Sequence, residues 1–254
     1  MNWPRRVVEE YKAFDENKAC TNAHSLIELL FETKVPPCYF AGDLTKAKYG
    51  LLGLNPGYGD GIDIEYKAYI DYGWEQLYLN FFKIFHHELG LRSNYYDRFA
   101  LLLAGILNKK PDISISERYT LLHENLVNFD LIPYHSKQFN LNMIEEKRDL
   151  IEPYVSTTKE LIENSSVEYL FFNGKPWGQF LTGENGVLDV SFDEDGGFVL
   201  NPGKKVIVKA HFGNGLGRNI VWFDKFLTSP GSGISNQMLF DAGKRIRDYY
   251  NIVI

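Results

Sequence analysis

Residues 48–54 read Lys-Tyr-Gly-Leu-Leu-Gly-Leu and run directly into Asn55-Pro56-Gly57-Tyr58-Gly59-Asp60-Gly61. A short apolar run closed by turn formers is a buried strand that leaves its sheet at a fixed point, because Pro lacks an N–H and Gly and Asn take turn geometry at little cost. The pattern recurs. Residues 126–132 end at Pro133-Tyr134-His135-Ser136, residues 167–172 end at Asn173-Gly174, and residues 205–210 feed the loop His211-Phe212-Gly213-Asn214-Gly215-Leu216-Gly217. Apolar spacing predicts helices over 74–88, 95–107, 176–181, 219–227 and 234–249, with a polar helix over 142–164 broken near Pro153. Residues 5–16 and 23–31 form an N-terminal helical cover (about 1–35), and residues 186–200 predict a hairpin with its tip at the acidic run Asp193-Glu194-Asp195-Gly196-Gly197. Strands alternating with helices predict an α/β fold: one three-layer α/β/α domain over 1–254 with a central, mostly parallel sheet. Ligands bind such sheets beyond the carboxyl ends of the strands, where the loops at Asn55, Pro133 and His211 all fall.

Composition narrows the function classes. With 44% hydrophobic and 24% charged residues the chain is of ordinary globular type. No apolar run reaches the roughly 20 residues that span a bilayer, and the N-terminal segment lacks the apolar stretch of a signal peptide, so the expectation is a cytoplasmic protein with no membrane partner. Cys20 and Cys38 are the two cysteines and show no metal-ligand spacing. No metal or cofactor is expected. The net charge of −6 argues against phosphate binding by the chain as a whole, yet residues 201–254 hold eight Lys or Arg against three Asp, a local +5 that could face nucleic acid or serve as a solvated surface.

The loop after residue 54 could hold a water or an anion on its backbone N–H groups, or be a plain β-turn. It is no phosphate loop, because it lacks Gly-Lys-Ser/Thr and its glycines do not match Gly-x-Gly-x-x-Gly. His211 opens a glycine-rich loop from which an imidazole can enter a cleft, and Leu216 forms an apolar tip able either to wedge into a base stack or to pack on the next element. Together, a strand ending in Gly53-Leu54-Asn55-Pro56-Gly57, a later strand followed by Gly174 and a strand ending in His211 resemble the uracil-DNA glycosylase superfamily over residues 47–228. The first run is similar to the Gly-x-Asn-Pro-Gly of its mismatch-specific and single-strand-selective branches. The second landmark, usually His-Pro-Ser-Pro, stands here as His211-Phe212-Gly213-Asn214.

The resemblance implies a metal-free DNA glycosylase that flips a damaged or modified base out of DNA and hydrolyses its bond to deoxyribose, as in base excision repair. It makes Asn55 the residue that orients the attacking water and His211 the stabiliser of the departing base. Gly53, Leu54, Pro56, Gly57, Tyr58, Asp130, Pro133, Tyr134 and Asn214 would form the base pocket, with Phe129 a further stacking aromatic. Leu216 would fill the gap left in the duplex, and Lys209 and Arg218 would meet phosphates. The family reads the base edge with an Asn shortly before a Pro. Asp130 stands three residues before Pro133, and a carboxylate there, as a hydrogen-bond acceptor, would suit the amino group of a modified cytosine or would simply cap or pair structurally. Asp60 and Asp63 are alternative water activators. A non-catalytic nucleic-acid-binding relative and a small-molecule or nucleotide hydrolase are the other readings.

Overall fold

The computed structural model describes residues 3–20, 33–54, 56–57, 62–136, 148–181, 188–229 and 231–254. Its centre is built from apolar runs too short for helices. Tyr49–Gly53 (β2), Leu126–Asp130 (β3) and Tyr169–Asn173 (β4) are buried along nearly their whole lengths. With Arg218–Phe223 (β7) they form a parallel four-stranded core in the order β3-β2-β4-β7. Phe40–Ala41 (β1) pairs antiparallel on the β3 edge, and Lys209–Gly215 (β6) followed by Val190–Val199 (β5) extends the β7 edge antiparallel. Buried apolar side chains from both halves of the chain join one core.

Side chains alternate across a strand, so neighbouring residues carry opposite layers. Phe171 meets Phe99 of helix α4 (Asn94–Ile106), while Phe172 meets Trp177 of helix α7 (Pro176–Leu181), placing helices on both faces. α4 is backed by α8 (Asn236–Tyr250), and the two approach so closely that a Cβ on Gly105 would overlap the Phe240 carbonyl oxygen and one on Gly243 the Leu102 carbonyl oxygen. Helix α5 (Ile115–Asn125) starts in a capping box, with the Ser114 N–H donating to Glu117 at 2.6 Å and the Glu117 N–H to Ser114 Oγ at 3.3 Å.

The predicted helix over 5–16 is α1 (Arg5–Asn17), and that over 234–249 is α8. The one predicted over 23–31 lies outside the described residues. The segment over 74–88 is the end of a longer helix, α2 (Ile62–Leu79), kinked where Gly73 takes φ 72°, then α3 (Phe81–Lys83) and a π-helical turn, Ile84–Glu88.

Three expectations are corrected. The described helix α6 (Arg148–Glu163) runs through Pro153, which removes a single backbone donor. The hairpin expected over 186–200 is, in its described part, a single strand: residues on both sides of the acidic run pair with β6, Phe192 with Gly213 and Gly197 with His211, so residues 193–196 bulge from it. Most consequentially, residues 219–227 are not a helix. Ile220, Val221, Trp222 and Phe223 pair with both β4 and β6, and the expected loop 211–217 is itself the strand β6 plus a tight hairpin turn in which Leu216 and Gly217 take φ 53° and 66°.

No helix among the described residues is long and apolar enough to cross a membrane.

Candidate active site

The loops leaving β2 and β3 are fastened together. The Leu131 and Ile132 N–H groups donate to the Gly53 and Leu54 carbonyl oxygens at 3.0 and 2.9 Å, and Gly57 forms a parallel bridge with Ser136. The register of the sheet thus continues past its edge and fixes where Gly53, Leu54, Gly57 and residues 130–136 stand. Above them lies a cavity of about 820 Å³ at the carboxyl ends of β2, β3 and β4. Its walls are aromatic, with Phe81, Phe85, Tyr95, Tyr96, Trp177 and Phe226, and its polar groups include Glu65, Asn128, Asp130, His135 and Asn173.

Asn128 and Asp130 share one face of β3, as residues two apart on a strand must. They are 2% and 4% exposed, and the Asn128 amide N–H donates to Asp130 Oδ2 at 3.0 Å. Gly53 is directly opposite in β2, where a Cβ would overlap Asp130 Oδ1, so this strand end has no room for a side chain. Burial, reinforced by the charge of Glu65, pushes the Asp130 carboxyl well above the ordinary range, against the opposing pull of the Asn128 hydrogen bond. With its proton on, this carboxyl carries a donor as well as an acceptor, where an ionised group only accepts.

His135 is 2% exposed, and its Nδ1 lies 2.9 Å from the Gly57 carbonyl oxygen. Its Nε2 stands 3.8 Å from Glu65 Oε1, at the end of the first turn of α2, and neither atom has a hydrogen-bond partner among the described residues. The Asn128 Oδ1 atom is likewise unpartnered. Three buried polar atoms from three elements therefore stand unsatisfied around one cavity, a costly arrangement unless something polar enters. Asn173 fixes the neighbouring strand end, its Oδ1 accepting from the Leu227 N–H at 2.9 Å. Among the described residues no three His, Cys, Asp or Glu side chains converge as a metal site.

Of the residues expected in the base pocket, Gly53, Leu54, Pro56, Gly57 and Asp130 line this cavity. Asn55, Tyr58 and Asp60 lie outside the described residues, and Asp63 is exposed to solvent. Pro133 and Tyr134 stand on the adjoining turn but face elsewhere: the Pro133 carbonyl accepts from the Cys38 N–H at 2.7 Å, and the Tyr134 hydroxyl donates to the buried carboxylate of Glu10 at 2.7 Å and meets Tyr154 at 3.0 Å. Phe129 is fully buried on the other face of β3 from Asp130.

His211 is separated from this site. It lies on β6 opposite Trp222, which pairs with Phe172, which pairs with Leu52, putting it three strands or roughly 14 Å from β2. The same register sets it on the face of Phe129, and it stacks on Trp222 at 4.8 Å. Burial lowers its pKa. It does not line the cavity, and Asn55, with which it was expected to converge, lies outside the described residues. Asn214, Leu216 and Arg218 are at the far end of the sheet, because the hairpin turn precedes β7 and a parallel strand begins opposite to where it ends. Arg218 is spent on backbone, donating to the carbonyl oxygens of Gly217 at 3.2 Å and Ile162 at 3.3 Å. Lys209 is exposed at the start of β6, its N–H donating to Asp224 at 2.8 Å.

Sequence reasoning missed Glu65, His135, Asn128 and the α4 aromatics Tyr95 and Tyr96 as site residues. A helical reading begun at Ile62 would have found Glu65, since residues 62, 65 and 69 fall on one helix face.

The fold and site define a mixed α/β protein with an aromatic, acid-bearing cavity at the carboxyl ends of its parallel strands. No protein-family model matches the chain, and no curated protein matches it either.

Proposed function

We propose that this protein hydrolyses an N-glycosidic bond, taking the nucleobase of a nucleic acid into the cavity and releasing it from its sugar. The observation that carries the reading is the pairing of aromatic walls with the buried Asp130 carboxyl beside Asn128 on the floor, a carboxyl whose pKa burial raises. Flat rings stack on flat rings, and an extruded base needs polar partners for the edge it withdrew from its pair. When the bond breaks, negative charge grows on the base, and a preorganised donor such as the Asp130 carboxyl lowers the barrier. The likeness of residues 53–57 to the Gly-x-Asn-Pro-Gly of uracil-DNA glycosylases supports the same chemistry, and gives Asn55 the water-positioning role. The imidazole expected to stabilise the departing base is replaced by Asp130.

DNA as the partner is part of this proposal. A second reading, hydrolysis of free nucleosides or nucleotides, is favoured by the dispersal of the C-terminal basic residues, with Arg218 at the end of the sheet remote from the cavity. One panel tests both: uracil, hypoxanthine and modified cytosines, each in single-stranded DNA, in duplex DNA and as free nucleosides, with released base and alkali-labile abasic sites as readouts. Cleavage in DNA, lost in Asn55→Ala and Asp130→Ala, is the expected result. Cleavage of nucleosides alone selects the second reading. Salt-sensitive DNA binding with no base released from any substrate makes the protein a binding relative.

A further inference from the structure

Glu65 and His135 have no part in the reading so far. A carbonyl oxygen only accepts, so the His135 Nδ1, 2.9 Å from the Gly57 carbonyl, carries a proton, and in the neutral imidazole the lone pair is then on Nε2. That nitrogen is buried, belongs to a residue that lines the cavity and stands 3.8 Å from Glu65 Oε1. The gap is too long for a direct hydrogen bond, and one water with ordinary hydrogen-bond lengths of about 2.8 Å bridges it. The surrounding Cys38, Tyr78 and Tyr96 stay neutral because burial pushes each of them up.

We propose that Glu65 and His135 meet the attacking water in this gap and remove its proton, with Asn55 keeping the orienting role given to it above. The proposal rests on the N-glycosidic reading and assigns its base, as Asp130 is its acid. One water O–H bond breaks and its oxygen bonds to the sugar carbon as the carbon–nitrogen bond opens. The electron pair of that bond leaves with the base. The water proton passes to His135 Nε2, where the Glu65 carboxylate offsets the new charge. The base takes its proton from the Asp130 carboxyl, and the His135 proton returns to Asp130 through solvent once the products leave. Water is thus consumed and free base and sugar are formed, with no other reactant. Acid and base take different roles because their surroundings differ, Asp130 on the floor against Asn128 and His135 in the wall against a carbonyl.

The test uses the full chain. In ¹⁵N spectra of the wild-type protein the His135 imidazole is expected as the Nδ1–H tautomer, with an Nε2 resonance that moves in Glu65→Gln. On whichever substrate the wild type cleaves, Glu65→Gln and His135→Gln are expected to lower kcat at least 100-fold with KM within threefold. An Nε2–H tautomer overturns the proposal, and so does kcat within threefold of wild type in both variants. If the wild type cleaves nothing in the panel, the N-glycosidic reading falls on its own. The spectra, which need neither substrate nor active variant, then decide the pair: the Nδ1–H form with a Glu65-dependent resonance supports it, and any other result overturns it.

Discussion

Replacing Asp130 with Asn tests the site through stability alone. Asp130 is 4% exposed, accepts one hydrogen bond from Asn128 and lies in the field of Glu65. Its carboxyl therefore keeps a proton in the folded protein at pH values where the unfolded chain, with an ordinary Asp near about 3.9, has lost it. Folding then takes up one proton. The stability associated with this group is fully present below the unfolded pKa and declines as pH rises through the folded one, by about 1.4 kcal/mol per pH unit for a single proton. Across two units of that window the loss is about 2.7 kcal/mol, a large share of a typical total of about 5–15 kcal/mol. An amide has nearly the same shape, can accept the same bond from Asn128 and does not titrate. Urea unfolding followed by tryptophan fluorescence, repeated from about pH 4.5 to pH 7, is expected to show Asp130→Asn gaining on wild type with that slope. A constant difference across the range would refute the buried neutral acid, and with it the donor assigned to the departing base.

Other consequences are local. Gly105→Ala forces α4 and α8 apart at the Phe240 carbonyl and is expected to cost about 3 kcal/mol in urea unfolding, with weaker base binding because α4 carries Tyr95 and Tyr96 into the cavity. Tyr134→Phe deprives the buried Glu10 carboxylate of a hydrogen bond and is expected to destabilise by about 2–3 kcal/mol; a change below about 0.5 kcal/mol would show that bond to be idle. His211→Ala and Leu216→Asn are expected to leave base release within twofold of wild type, and the second to shift stability by less than about 1 kcal/mol, since Asn tolerates the left-handed turn position that Leu216 occupies.

Much of the sheet was legible because burial on both faces writes a strand as an unbroken apolar run. β2, β3 and β4 stand within a few residues of their expected places. The C-terminal third was misread for one reason. Gly213 and Gly215 looked like loop formers, whereas they sit where a Cβ would collide with β5, at the Ser191 carbonyl and the Val190 side chain. Taking 211–217 as a loop left Ile220, Val221, Trp222 and Phe223 to be read as helix, although their β-branched and aromatic character is that of a strand. The site was legible only where it lies on strand ends. Glu65, Tyr95, Tyr96 and Phe226 arrive from separate elements, and no local pattern announces that they meet.

The hydroxyl of Tyr134 reaches the first helix through Glu10, 124 positions earlier, and the next residue after Tyr134 is His135. As the chain emerges from a ribosome, α1 appears long before the segment it must clasp, and at synthesis rates of about 5–20 residues per second it waits some seconds for that partner. An intact cavity wall therefore requires α1 to have remained undocked from competing partners until the middle of the polypeptide exists.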